Sequence, residues 1–167
     1  MSHASDLVTD RLFCHMAWAN AQTFAVLASL PATVFALCEP GNDWSVGMIV
    51  QHLTEAATGY ASRLDGTPYT ALPFAVVSTH AELAIAMQAC ATADARLRVA
   101  AANPHGVVEL QRKPFTRARS TVLAQSIHHA TEHRAQIAGA LVAHGVTALA
   151  LDDLDVWAYS DAEGLGA

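Results

Sequence analysis

Four stretches of about 20 residues carry apolar side chains at helical spacing, and proline or glycine clusters punctuate each of them. Phe13, Met16, Ala17, Phe24 and Leu27 recur on one face of a segment from Asp6 to Leu30, which Pro31 closes. Pro40-Gly41-Asn42-Asp43 is a turn cluster, and Ser45 is a natural N-cap for a second helix from Val46 to about Leu64. Asp65-Gly66-Thr67-Pro68 stops it. Thr79 to about Ala102, rich in alanine and leucine, is the third helix, and Asn103-Pro104-His105-Gly106 ends it. Arg119 to His144 is the fourth, with Ser120 or Thr121 near its start and Gly145 as its C-cap. Between the last two, Val107 to Phe115 alternates briefly and predicts a short extended pair that Pro114 confines to an edge. Leu154 to Tyr159 reads as a tail with one short helix. Amphipathic helices of this number and length bury their stripes against one another as an all-α four-helix bundle. The long connections between the first and second and between the second and third helices leave its topology open.

Composition narrows the function. The 167 residues predict a single domain, 1–167, and 53% hydrophobic content supplies an ample core. Only 14% of the residues are charged, against roughly 25% in ordinary soluble proteins. Uncharged surface of this kind predicts contact between subunits, hence a homodimer. A formal net charge of −6, with only the short basic pairs Arg112-Lys113 and Arg117-Arg119, argues against a nucleic-acid backbone as partner. No apolar run reaches the roughly 18 residues of a membrane span, and Met1-Ser2-His3-Ala4-Ser5-Asp6 lacks an export signal, so the expected location is the cytoplasm. Cys14, Cys38 and Cys90 are widely spaced without a CxxC and read as reduced, small apolar residues.

The chemistry concentrates in Ser126-Ile127-His128-His129-Ala130-Thr131-Glu132-His133-Arg134-Ala135-Gln136. His129 and His133 are one helical turn apart and share a face, so their imidazoles are spaced to chelate one divalent ion. Gln136 falls on the same stripe. Two ligands seldom suffice, and His52 on the second helix, flanked by Met48, Ile49 and Ala56, is the candidate third, since a neutral imidazole on an apolar stripe needs a partner for each ring nitrogen. Glu55 and Glu132, each three residues from one of these histidines, are candidates for an outer acceptor, an additional ligand or a proton carrier. His128 adjoins the pair and is a second candidate at the cavity rim. His3, His105 and His144 read as structural, His15 and His80 gain no partner from the sequence, and Trp18, Trp44 and Trp157 read as core or interface aromatics.

Four blocks together resemble the DinB-like (damage-inducible B; DinB/YfiT-like) metalloproteins. Trp18-Ala19-Asn20 is similar to the family's first-helix block, and Trp44-Ser45 followed by His52-Leu53 to its second-helix start. Tyr60-Ala61-Ser62-Arg63-Leu64-Asp65-Gly66 resembles the aromatic, arginine and glycine that follow, and His129 to Gln136 resembles the H...HRGQ signature. Gly145 and Leu154-Asp155 are similar to the segment after the last long helix. The chain departs at Ala135, where glycine is usual, at His128, where asparagine is common, and at Glu132, where a further histidine is frequent. None of these removes a ligand.

The resemblance implies an up-down-down-up four-helix bundle, often dimeric, with a divalent ion on His52, His129 and His133. The expected metals are zinc or nickel, then iron, cobalt or manganese. Relatives of this kind include thiol-dependent S-transferases and isomerases that use low-molecular-weight thiols. Three neutral ligands leave a tetrahedral ion one open position, as in catalytic zinc sites. The expected function is therefore metal-dependent thiol transfer or hydrolysis on a small molecule, with Glu132 or His128 as proton carrier. The alternative is a noncatalytic metal-binding or sensor protein with a structural metal.

Overall fold

The computed structural model describes residues 6–109 and 115–166, and they are mostly helical. Helix α1 spans Leu7–Ser29, α2 Val46–Asp65, α3 His80–Ala101, α4 Arg119–Ala143 and a short α5 Val156–Ala162. Side-chain caps fix most of the starts. Asp6 accepts from the Val8 amide, Ser45 from Met48, and Asp155 from Ala158. Thr79 and Glu82 form a reciprocal capping box at α3. Helix α4 starts without a side-chain cap, its N-cap being Ala118, so Ser120 and Thr121 lie inside its first turn.

A small antiparallel ladder precedes α4. Strand β1, Val107–Glu109, pairs with β2, Thr116–Ala118, in the register Val107–Ala118, Val108–Arg117 and Glu109–Thr116. The predicted extended pair is thus present, but its second arm extends past Phe115, while Leu110 to Pro114, His3 and the Arg112-Lys113 pair lie outside the described residues. No described helix is long and apolar enough to cross a membrane.

Two apolar clusters fill the interior. One gathers Phe24, Leu27, Ile49, Val50, Leu83, Ile137 and Leu141, and the other Phe13, Met16, Leu53, Leu64, Leu97, Val122 and Leu123. A polar layer separates them. On α1, Asn20 falls between Met16 and Phe24; on α3, Asp94 falls between Cys90 and Leu97; on α4, Arg134 falls between Ala130 and Ile137. Arg134 donates to Asn20 Oδ1 at 2.7 Å and to Thr131 Oγ1 at 3.0 Å, and Asn20 Nδ2 donates to Asp94 Oδ2 at 2.9 Å. The amide therefore bridges guanidinium and carboxyl, giving each buried group a hydrogen-bonded partner.

The peripheral histidines act as ties. His15 donates to the Leu154 carbonyl at 2.8 Å, His80 to Leu30 at 2.9 Å and His144 to Cys38 at 3.0 Å, each pinning a connection to a helix. Backbone proximity does the same at Gly47. Its carbonyl accepts from the Val77 amide at 3.2 Å, and a Cβ there would lie 1.9 Å from the Val77 carbonyl oxygen. Only glycine lets the α2–α3 connection lie so close to the start of α2.

Burial raises the Asp94 pKa from 3.8 to about 6, against the opposing hydrogen bonds of Asn20 and Cys90 and the charge of Arg134. Its Oδ1 is buried without a hydrogen-bond partner, which adds to the cost of ionising it. A carboxyl whose pKa rises on folding favours the folded state fully below pH 4, and that contribution is lost as pH rises through about 6. Asp94→Asn carries no such titration. Urea unfolding should show the variant gaining on the wild type between pH 4 and 7, by on the order of 3 kcal/mol at 1.36 kcal/mol per pKa unit. A stability difference constant across that range would contradict the account.

Candidate metal centre

One turn of α4 and one residue of α2 make the site. His129 and His133 share a face of α4, and α2 presents His52 opposite them. His129 Nε2 lies 3.1 Å from His52 Nε2 and 3.0 Å from His133 Nε2. One ligand atom from each residue falls within 4.8 Å of the others. Those 3.0–3.1 Å edges approach the roughly 3.3 Å ligand–ligand edge of a tetrahedron built on metal–nitrogen bonds of about 2.0 Å.

The donor set fits a cation better than it fits itself. A neutral imidazole has one N–H and one lone pair, so three Nε2 atoms around one point cannot all be satisfied by one another. The tautomer of His133 is fixed from outside: Gln136 Oε1 lies 2.7 Å from its Nδ1 and can only accept, so Nδ1 carries the proton and Nε2 offers its lone pair. Burial lowers the His52 pKa, reinforced by the charge of His133 and opposed by Glu55. The same burial, with repulsion from His133 and His52, brings His129 down to about 4. At neutral pH both rings are therefore in the form that ligates metal.

Aromatic rings enclose the three histidines. Trp44 stacks on His133 with ring centroids 6.1 Å apart and planes 9° from parallel, and meets His52 edge-on at 4.8 Å. Tyr60 meets His129 edge-on at 5.7 Å. Burial raises the Tyr60 pKa, with a hydrogen bond to Gln125 opposing it. The sequence reading placed Trp44 with the core or interface aromatics, whereas the chain turns it over the site. Its position just before the Ser45 cap, two turns ahead of His52, was the available signal. Gln136 was legible from its stripe on α4, but Tyr60 was visible only within a family-like block.

His52 also forms one wall of an open polar cleft of about 590 Å³, with Glu55, Gly59, Tyr60, Arg63 and Tyr69 among the other lining residues. Glu55 is held there, its Oε1 accepting from the Leu72 amide at 3.1 Å. Glu132 and His128 are exposed, and neither lines this cleft or joins the histidine group. Glu132 is near enough to Tyr60 for its charge to raise the tyrosine pKa. An apolar cavity of about 420 Å³ between α1, α3 and α4, lined by Phe13, Leu123 and Ile127 among others, contains none of the three histidines. Of these two cavities, only the polar cleft is lined by one of the three histidines.

The DinB family model matches residues 1–162. No curated protein matches the chain.

Gln136→Ala removes the acceptor that fixes the His133 tautomer and should lower divalent-metal affinity about 10- to 100-fold. His133→Ala should lower it further. Competition against a chromophoric chelator measures both, and unchanged affinity in Gln136→Ala would contradict the assigned tautomer.

Proposed function

The chain belongs to the DinB family, and from that premise we propose that it is a metal-dependent enzyme acting on a small molecule, of the thiol S-transferase or hydrolase type. The observation that carries this reading is the convergence of three histidine Nε2 atoms beside an open polar cleft. His52, His129 and His133 are the ligands, and imidazole donors suit zinc or nickel, the metals we assign first. A divalent ion there would supply the Lewis acidity that turns a thiol or a water into a nucleophile at neutral pH.

The remaining roles belong to the chain. Trp44 packs on His133 and His52 and holds their rings from one side. Tyr60, with its pKa raised by burial, keeps its proton at neutral pH and can donate it toward a leaving group. The exposed Glu132 acts on Tyr60 through its charge, and water in the open cleft replenishes the proton. We give the exposed His128 no step.

The supporting frame is read as one domain in which the four long helices run up, down, down and up. Several contacts support this. The Val77–Gly47 hydrogen bond joins the starts of α2 and α3, and Arg96 meets Asp65 at 2.7 Å near their ends. Asp10 of α1 pairs with Arg98 of α3, and Leu30 with His80, so those two helices meet end to opposite end. Arg119 at the start of α4 donates to the Leu64 carbonyl near the end of α2.

Zinc- or nickel-loaded protein, offered small thiols with an alkylating or ring-opening electrophile and, in parallel, activated esters and amides, should turn over one of these classes. His129→Ala should lower that rate at least about a hundredfold. Rates equal in the two proteins across both classes would contradict catalysis and leave a noncatalytic metal-binding role.

A further inference from the structure

Arg63 lines the same cleft as His52, and among the described residues its guanidinium makes no ion pair. The other buried or partnered arginines are engaged. Arg96 and Arg98 bind carboxylates, Arg119 donates to two backbone carbonyls, and Arg134 to Asn20 and Thr131. Arg63 Nε, in contrast, is buried without a hydrogen-bond partner. Glu55, the acidic residue lining the cleft, accepts from the Leu72 amide. Gly59 makes room for the guanidinium. A Cβ at that position would lie 3.0 Å from Arg63 Nη1, so the side chain folds back along α2 over a residue that has none.

An unpaired buried guanidinium donor is costly, and a planar carboxylate is the group whose two oxygens match its fork. Glu55 lines the same cleft, so a singly charged ligand group meets less repulsion there than a dianionic phosphate. Seven residues of helix separate His52 from Gly59, about 10 Å along the axis at 1.5 Å per residue.

Resting on the metal-dependent reading above for its second anchor, we propose that Arg63 binds a carboxylate of the substrate, so that the natural substrate or thiol is a small carboxylic acid whose reacting end meets the histidine site and whose carboxylate reaches back along α2. Arg63 is then a specificity residue. It holds one end of the molecule while Tyr60 and the histidines face the other, and a compact neutral analogue loses that anchor.

The test uses full-length cobalt-loaded protein and two probe series, ω-mercapto carboxylates of three to six carbons and the ω-mercapto alcohols of the same lengths. The carboxylates should perturb the cobalt absorption bands at concentrations at least about tenfold lower than the matched alcohols, as one charge-assisted hydrogen bond implies. Arg63→Gln should remove that preference while leaving the ligand-free cobalt spectrum and the alcohol titrations unchanged. Arg63→Lys should keep part of it, and Gly59→Ala should weaken it by displacing the guanidinium. Equal affinities of acid and alcohol for the wild type, or a preference that survives in Arg63→Gln, would overturn the proposal. If no thiol moves the cobalt bands, glutarate is titrated against the tryptophan and tyrosine fluorescence of wild type and Arg63→Gln. Saturable quenching lost in the variant retains the carboxylate site and rejects the thiol reading; no difference rejects the carboxylate site itself.

Discussion

Arg134 can enter the interior only because Asn20 accepts from it at 2.7 Å and donates in turn to Asp94 at 2.9 Å. That chain of hydrogen bonds links α4 to α1 and α3 through groups too costly to bury unpaired. It also fixes the rotation of α4 about its axis. Arg134 follows His133 by one residue, 100° further round the helix, so holding the guanidinium toward α1 and α3 turns His133, and His129 one turn before it, toward α2. The small internal cavity that Asp94 and His129 both line places the polar layer directly behind the site. Site geometry and fold stability therefore rest on the same residues.

The interior follows from this layer. A purely apolar stripe would let α4 slide or rotate against its neighbours at little cost, whereas a hydrogen-bonded charge admits one arrangement. The two apolar clusters on either side supply the free energy of burial, and the polar layer between them sets the register. His52 sits between Val50 of one cluster and Leu53 of the other, which puts it at the same level as the α4 pair.

Much of this was legible in the residues. Ser45 and Thr79 mark helix starts because their hydroxyls cap, and the predicted ends of all four long helices lie within a residue or so of those observed. His129 and His133 follow from one turn of helix, and His52 from a lone imidazole on an apolar stripe. What the sequence hides is tertiary. Asn20, Asp94 and Arg134 are polar residues scattered over 114 positions, and no local period reveals that they meet. Glu132 and His128 were conspicuous because they adjoin His133 and His129 in sequence, yet adjacent helical residues point 100° apart and both are exposed. Tyr60 and Arg63 stand eight and eleven residues after His52 and become neighbours of the site only once α2 and the α2–α3 connection enclose a cleft.

The central claim is that three histidines from two helices hold one divalent ion. The direct measurement is metal content, by elemental analysis, of protein purified without chelating resin and reloaded to saturation, read together with X-ray absorption at the metal edge. The account predicts one ion per chain with three imidazole nitrogens at about 2.0 Å, and less than stoichiometric metal in His52→Ala. Full occupancy in His52→Ala, or an absorption spectrum dominated by oxygen or sulfur ligands from the protein, would contradict it.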